Sequence, residues 1–451
     1  MYKIKIHSYE KKYLLDEMIK VFLSPDEYVL VEEDDTNTIH FNLQGSQDKN
    51  VIKSEIFNKL SKLTDHRPEW GILTGIRPVK LWGETLQRLG DICEARNFMK
   101  EEFLLSDKKI DLLEDIYNYQ IKSIGGIDAR NSSMYIGIPF CPTRCSYCSF
   151  ASNQVPDTEI DKYFQALLTE IRAVGSMMSE NRMMPRSIYI GGGTPTTLSA
   201  PQLRELFCAI KENIPTGRLK EMSLEAGRPD TITSEKLKAA YEGGVDRISI
   251  NPQTMNDETL RRIGREHSSQ MIHEAFKIAE KFPFRGINCD IIAGLPGETL
   301  KDFQNTLKKV IDLGPNNITI HSIAVKRGSK LIDIDRSYYH KIADLVGDML
   351  MSGAKELRFR GFRPYYLYRQ KHMAGAYENT GYCKDDNFCI YNMAIMDEHE
   401  DIVALGAGGI SKAFYPGENR LERVPNVTNY QEYISRIDEM VERKRKGLFS
   451  R

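Results

Sequence analysis

No apolar run in this sequence approaches the about 18 residues that a membrane-crossing helix needs. The N-terminus, MYKIKIHSYEKKYLLDEMIK, is charged throughout and lacks the continuous apolar stretch of a secretory signal, so the expected location is the cytoplasm. Neither sign of charge prevails: 62 Lys and Arg stand against 63 Asp and Glu, a formal net charge of -1. That balance argues against holding nucleic acid or an anionic membrane through a global field, but leaves room for a local basic pocket. Cysteine is sparse, eight in 451 residues, which excludes a small secreted disulfide framework. Internal repeats and low-complexity tracts do not stand out. What remains is an ordinary globular mix, 41% apolar and 28% charged. At about 150 residues per domain, the length suits two or three domains.

The pattern changes twice along the chain. Residues 1–130 read as a small α+β and helical region. YKIKIHS (2–8), EYVLVEE (27–33) and TIHFNL (38–43) are strand-like, and KYLLDEMIKVFL (12–23) is helical. VIKSEIFNKLSKLT and DKKIDLLEDIYNYQIKSI are further helices, with an apolar loop, WGILTGIRPVKLW (70–82), between them. In 131–330, six short apolar runs alternate with amphipathic stretches: MYIGIPF, SIYIGGG, EMSLEAG, RISINPQ, INCDIIAGLP and NITIHSIA. In one stretch Ile272, Ala275, Phe276 and Ala279 share a helical face. Six β-then-α units predict a parallel sheet buried on both sides, an incomplete (β/α)6 barrel, since eight units need about 250 residues. Residues 331–451 are mixed and rich in Tyr, Gly and charge, suited to closing the barrel's open side.

Five cysteines, Cys93, Cys208, Cys289, Cys383 and Cys389, are scattered. The other three, Cys141, Cys145 and Cys148, follow the first barrel strand with spacing C-x3-C-x2-C. Three thiolates so close can converge on one soft metal centre. Ser149 and Phe150 follow, so the loop offers no fourth thiolate, whereas structural zinc wants four closed ligands. Three ligands on a [4Fe-4S] cluster leave one iron open for a small molecule. Other candidates fall at strand ends. Gly191-Gly192-Gly193-Thr194 can admit a ligand to exposed backbone N–H groups, although a tight turn would look the same. Glu225 ends the third strand and Gln253 the fourth, Arg265 lies in the next loop and Asp290 in the fifth strand. Each alone is more often structural; their common rim strengthens the joint case.

The cysteine spacing at the end of the first strand is the signature of the radical S-adenosylmethionine (SAM) superfamily. Together with Tyr135-Ile136-Gly137-Ile138-Pro139-Phe140 and GGGTPT, it resembles the coproporphyrinogen III oxidase group within it, which includes the HemN, HemW and HemZ branches. WGILTGIRPVKLW, PYYLYRQKHMAG (364–375) and ALGAGGISK (404–412) resemble the HemZ branch most. The resemblance implies a [4Fe-4S] cluster on Cys141, Cys145 and Cys148, and up to two SAM molecules. Tyr135, Gly192, Glu225 and Ile410 match positions that contact the cluster-bound SAM. Tyr147, Gly193, Thr194, Gln253, Arg265, Asp290 and Ala324 match positions around the second, Tyr147 standing in place of a Phe. Three departures stand out. The oxidases have a Cys where this chain has Phe150, and a His where it has Gly137. The chaperones' His-Asn-x-x-Tyr-Trp haem motif is degraded to Ile390-Tyr391-Asn392-Met393-Ala394-Ile395.

The implied activity is oxygen-independent oxidative decarboxylation of coproporphyrinogen III propionates to vinyl groups. A one-electron donor such as flavodoxin or ferredoxin is then a partner, and a porphyrinogen or haem-like molecule the ligand. The alternatives are a haem chaperone, or radical methyl transfer or ring opening on a haem or porphyrin. An anionic substrate calls for cationic clamps, and Arg144, Arg228, Lys326 and Arg327 are the candidates. Lys326 and Arg327 are equally readable as solvated loop charges. Tyr365-Tyr366-Leu367-Tyr368 could pack on a macrocycle, though such runs are more often half core. Cys383 and Cys389 read as ordinary thiols, and His321 and His372 as makers of local hydrogen bonds.

Overall fold

The computed structural model describes residues 1–7, 12–32, 38–42, 48–75, 77–125, 131–150, 152–324, 337–370 and 373–450. At the N-terminus, β1 (Tyr2–His7) pairs in parallel with both β2 (Tyr28–Leu30) and β3 (Thr38–Asn42). Ile4 and Phe41 face Leu15, Met18, Ile56 and Phe57 of two covering helices, Lys12–Ile19 and Lys49–Thr64. The apolar 70–82 segment is a loop for its first half only. Pro78, whose fixed φ suits the first helical turn, starts the helix Pro78–Leu89, with Trp82 fully buried inside it. Helices Ile92–Glu102 and Asp107–Ile124 follow, each N-capped by a side chain, Asp91 and Ser106.

The six apolar runs form β4 (Ser132–Ile138), β5 (Pro185–Gly192), β6 (Glu221–Gly227), β7 (Arg247–Ile250), β8 (Gly286–Ala293) and β9 (Asn317–Ser322). They lie side by side in chain order, all parallel, as the alternating pattern predicts. Helices cover their outer face. Ile272, Ala275, Phe276 and Ala279 all turn inward as their spacing requires. Helix Asp157–Glu180 buries Ile160, Phe164, Leu167, Ile171 and Val174 along one stripe.

The C-terminal region adds β10 (Arg363–Tyr368), β11 (Asn379–Cys383), β12 (Asp401–Leu405), β13 (Ile410–Tyr415) and β14 (Arg420–Pro425). β11 and β10 extend the sheet antiparallel beyond β9. β12 pairs in parallel with β4, and β13 and β14 continue from it. The result is one sheet of eleven strands, not closed by a strand ladder among the described residues. The short helix Ile390–Asp397 packs against β5 and β10, inside the curve of the sheet. No helix among the described residues is long and apolar enough to cross a membrane.

Candidate functional site

The carboxyl ends of β4–β9 surround a cavity of about 510 Å³. The cysteine loop forms its mouth. Asn153 donates its backbone N–H and its side-chain amide to Pro139 O (2.9 and 3.0 Å) and accepts from the Cys141 N–H (3.0 Å), pinning the loop's base. The Ser146 N–H donates to Ile263 O (2.9 Å), tying the loop to the chain beyond β7. Cys141, Cys145 and Cys148 all line the cavity. Burial pushes the Cys141 thiol up to about 11, and the two neighbouring cysteines add to the rise. Burial raises the Cys148 thiol too, and thiols raised in this way are poor thiolates alone and good ones around a cation. Three thiols with no fourth cysteine in the loop suit a cluster, where each thiolate binds a different iron, better than structural zinc, which wants four ligands on one ion.

β5 approaches this loop closely. Past its end, the Gly193 and Thr194 N–H groups donate to Ile138 O (2.8 Å) and Phe140 O (2.7 Å). A Cβ on Gly193 would stand 2.5 Å from Phe140 O and 3.0 Å from Cys141 Sγ, so glycine is what lets the strand pass the sulfur. The Thr194 hydroxyl lies 3.4 Å from that sulfur. Gly192 holds a φ of 115°, outside the range of ordinary side chains.

Two tripeptides Tyr-Ile-Gly lie in exact register on β4 and β5, pairing Tyr135 with Tyr189 and Gly137 with Gly191. Their rings stack (6.4 Å, 15°), and Tyr391 from helix Ile390–Asp397 stacks on both, 6.1 Å from Tyr135 and 4.7 Å from Tyr189. The glycines make room: a Cβ on Gly137 would lie 3.3 Å from the Tyr135 ring, and one on Gly191 2.8 Å from the Tyr189 ring. Tyr189 donates to Glu225 (2.5 Å). Burial pushes the Glu225 carboxyl up to about 7, with Asp290 adding to the rise against the Tyr189 bond.

On the opposite wall, Gln253 takes a φ of 66° and bridges to β8, its N–H donating to Asp290 O (2.9 Å). Arg265 is buried, donating to the Tyr147 hydroxyl (3.0 Å) and Asn251 O (2.9 Å). Burial would raise the Asp290 carboxyl, but His321 (3.6 Å) and the Asn288 amide (2.8 Å) hold it below its ordinary value. The other nitrogen of His321 meets the Tyr368 hydroxyl (3.2 Å). Ala324, Tyr366 and Tyr368 also line the cavity.

The site thus collects Tyr135, Tyr147, Gly192, Gly193, Thr194, Glu225, Gln253, Arg265, Asp290 and Ala324 around the three cysteines. Ile410 stands apart. It opens β13 in the β13–β14 hairpin, is exposed, and is not part of the wall. Arg144 is exposed on the cysteine loop, outside the cavity lining. Arg228 lines the cavity, but its fork is bidentate on Asp230 (2.9 and 2.7 Å), and Nη1 donates to the Thr143 hydroxyl (2.6 Å). A guanidinium engaged in this way braces the cysteine loop and is no free clamp for a substrate carboxylate. Lys326, Arg327 and His372 lie outside the described residues. The sequence reading misses Tyr189 and Tyr391; it places Tyr368 in a run able to pack on a macrocycle and reads His321 as a maker of local hydrogen bonds, and both line the cavity, with His321 bonded to Tyr368. The repeated Tyr-Ile-Gly was a usable signal, because register in adjacent parallel strands puts equal tripeptides side by side.

The family model described as the radical SAM superfamily matches residues 135–310. The oxygen-independent coproporphyrinogen-III oxidase-like protein HemZ of Bacillus subtilis is 34% identical over 407 residues, 89% of this chain and 81% of that protein. The chain belongs to the HemN/HemW-like group of radical SAM proteins. Within the group, the heme chaperone HemW of Bacillus subtilis is 35% identical over 195 residues, covering 43% of this chain and 51% of the chaperone. The solved structure of coproporphyrinogen III oxidase (HemN) from Escherichia coli superposes with a TM-score of 0.54 at 22% identity, over 69% of this chain and 70% of that one. The fold is therefore that of the radical SAM group, and membership implies a [4Fe-4S] cluster and SAM.

Proposed function

We propose that this chain removes the carboxyl groups of two coproporphyrinogen III propionates without oxygen, leaving vinyl groups. The observation that carries the reading is a single cavity combining the three cysteines with a wall of five tyrosines, Tyr135, Tyr189, Tyr391, Tyr366 and Tyr368. The likeness to HemZ, which extends over 89% of the chain, supports the choice of substrate class. Cys141, Cys145 and Cys148 would hold the cluster. Gly192, Glu225, Gln253, Arg265 and Asp290 would receive SAM. Bound there, the pair supplies a 5′-deoxyadenosyl radical able to take a hydrogen atom from an unactivated carbon. The chain's own task is positioning and exclusion of water. The tyrosines offer flat, weakly polar faces to a macrocycle. Glu225, with its carboxyl near 7, can accept from or donate to ribose hydroxyls. At each propionate, loss of the β-hydrogen atom, CO2 and one electron to an external one-electron acceptor leaves the vinyl product.

A haem-carrying role is the second reading, favoured by the likeness to HemW. Against it, the helix Ile390–Asp397 that faces the cavity carries no histidine. The test is anaerobic reconstitution with iron and sulfide, then SAM, a reductant and coproporphyrinogen III, followed by mass spectrometry. Deoxyadenosine together with stepwise loss of two carboxyl groups is the expected result. Deoxyadenosine with an unchanged porphyrinogen rejects the substrate. A methylated or ring-opened tetrapyrrole would point to the other radical reactions, and stoichiometric haem binding without turnover to the carrier.

A further inference from the structure

A second cavity, of about 560 Å³, lies where the N-terminal region meets the chain beyond β10. Gln370 lines both this cavity and the one at the cysteine loop, so the two adjoin across one side chain. Arg369, next to it, is buried in the wall. Its two terminal nitrogens donate to backbone carbonyls, Leu73 O and Ala376 O, and its Nε has no partner. The guanidinium stacks over Trp70 at 4.8 Å. The carboxylate whose field reaches it, Glu378, already accepts from Lys109 Nζ (2.6 Å) and Trp70 Nε1 (2.7 Å). Arg369 is thus a buried cation hydrogen-bonded to neutral acceptors, with one donor unused. A buried charge in that state is costly until an anion reaches it. Four carboxylates also line this cavity, Glu17 at a half-buried position and Asp26, Glu27 and Asp344 at exposed ones, beside Lys20 and Lys341. In the cysteine-side cavity, Arg228 is neutralised by Asp230, and Arg265, though also held by neutral acceptors, spends its donors on Tyr147 of the cysteine loop and on Asn251 O.

We propose that the second cavity receives a carboxylate arm of the substrate, with Arg369 as its counter-ion, while the reacting end reaches past Gln370 to the cysteine loop. This rests on the porphyrinogen reading above. It also gives the N-terminal region a task, since that region supplies one wall of the carboxylate chamber. The probe is coproporphyrin III, the stable fluorescent oxidised form, titrated into the full reconstituted chain, with its tetramethyl ester as the uncharged control. A charge-assisted hydrogen bond of this kind is worth about 10- to 100-fold in affinity. Arg369→Gln should weaken coproporphyrin III by that factor, leave SAM affinity within twofold, and leave ester binding unchanged. Thr74→Trp, which fills the chamber and keeps Arg369, should weaken coproporphyrin III likewise. If Arg369→Gln also loses SAM affinity, the Thr74→Trp variant decides on the same criterion. Wild-type affinity for coproporphyrin III in both variants overturns the chamber and leaves the proposed reaction standing. No binding to the wild type overturns both.

Discussion

Gly193→Ala is the sharpest test of the cysteine-loop geometry. The added methyl would sit 2.5 Å from Phe140 O and 3.0 Å from Cys141 Sγ. Ordinary carbon–oxygen contact needs more than half an ångström beyond that, and the obstacle is backbone, not a side chain that can swing away. The Gly193 and Thr194 N–H groups hold the same segment from the other side through Ile138 O and Phe140 O, so the strand cannot simply retreat. Relief must come from moving the Phe140–Cys141 peptide, and with it the first sulfur. Overpacking of this kind costs about 1–3 kcal/mol in stability. The larger effect would fall on the cluster these cysteines are proposed to hold, because displacing one of three ligands leaves two. After anaerobic reconstitution, the variant should hold less than half the wild-type iron and sulfide while its far-ultraviolet circular dichroism is unchanged. Gly217→Ala is the control, since its methyl would meet nothing closer than Met184 Sδ at 3.4 Å. Full iron content in Gly193→Ala, with unaltered electron paramagnetic resonance, would refute the argument that this glycine sets the position of Cys141.

Three further outcomes follow from the electrostatics. Lys444 Nζ and Glu170 pair at 2.6 Å with both side chains fully buried, and Glu170 also accepts from Asn426, Tyr433 and the Gly406 N–H. Lys444→Met strands that carboxylate and should cost about 3–5 kcal/mol in urea unfolding, and adding Glu170→Gln should recover part of the loss. Tyr189→Phe removes a donor that favours the charged form of Glu225, so the Glu225 carboxyl should titrate above its present value near 7. A SAM-binding pH profile whose midpoint does not move upward in that variant would remove Glu225 from the binding site. Although burial opposes it, His399 is raised to about 9 by Asp397 (2.9 Å) and Glu84 (3.8 Å). Its folded value lies above its unfolded value, so its contribution is complete below about pH 6.5 and fades as pH rises through 9. That contribution is at most about 3 kcal/mol, and His399→Gln should flatten stability over this window.

The parts legible in the sequence were those fixed by neighbours along the chain. Six apolar runs announced six parallel strands, the spacing of Ile272, Ala275, Phe276 and Ala279 named a buried face, and three cysteines close together named the mouth of the cavity. Pairing across long separations was not legible. Nothing local says that β12 will join β4 in parallel while β11 joins β9, because strands added at an edge look like any other strands. Tyr391 reaches Tyr135 from a helix more than two hundred positions away, and periodicity carries no signal of that. Arg228 shows a different limit. A cation beside a ligand cavity suggests a clamp, yet Asp230 two residues on was already in view, and an Arg-Pro-Asp turn folds the fork back onto its own carboxylate.

That turn bears on where the substrate's charge can go. Arg228 and Asp230 neutralise each other and leave one N–H of the fork for the Thr143 hydroxyl, so their joint effect is to fix the cysteine loop. Arg265 likewise gives its donors to the Tyr147 hydroxyl and to a backbone carbonyl, and so fixes the aromatic ring between Cys145 and Cys148. Both arginines lie on the cavity wall and both act as braces. In the proposed reaction the propionate that reacts must itself enter this cavity, whose arginines are spent on bracing the cysteine loop. The propionates that do not react would then lie outside it, and Arg369, a buried guanidinium bonded to neutral carbonyls one side chain beyond the wall, is the cation proposed to meet one of them.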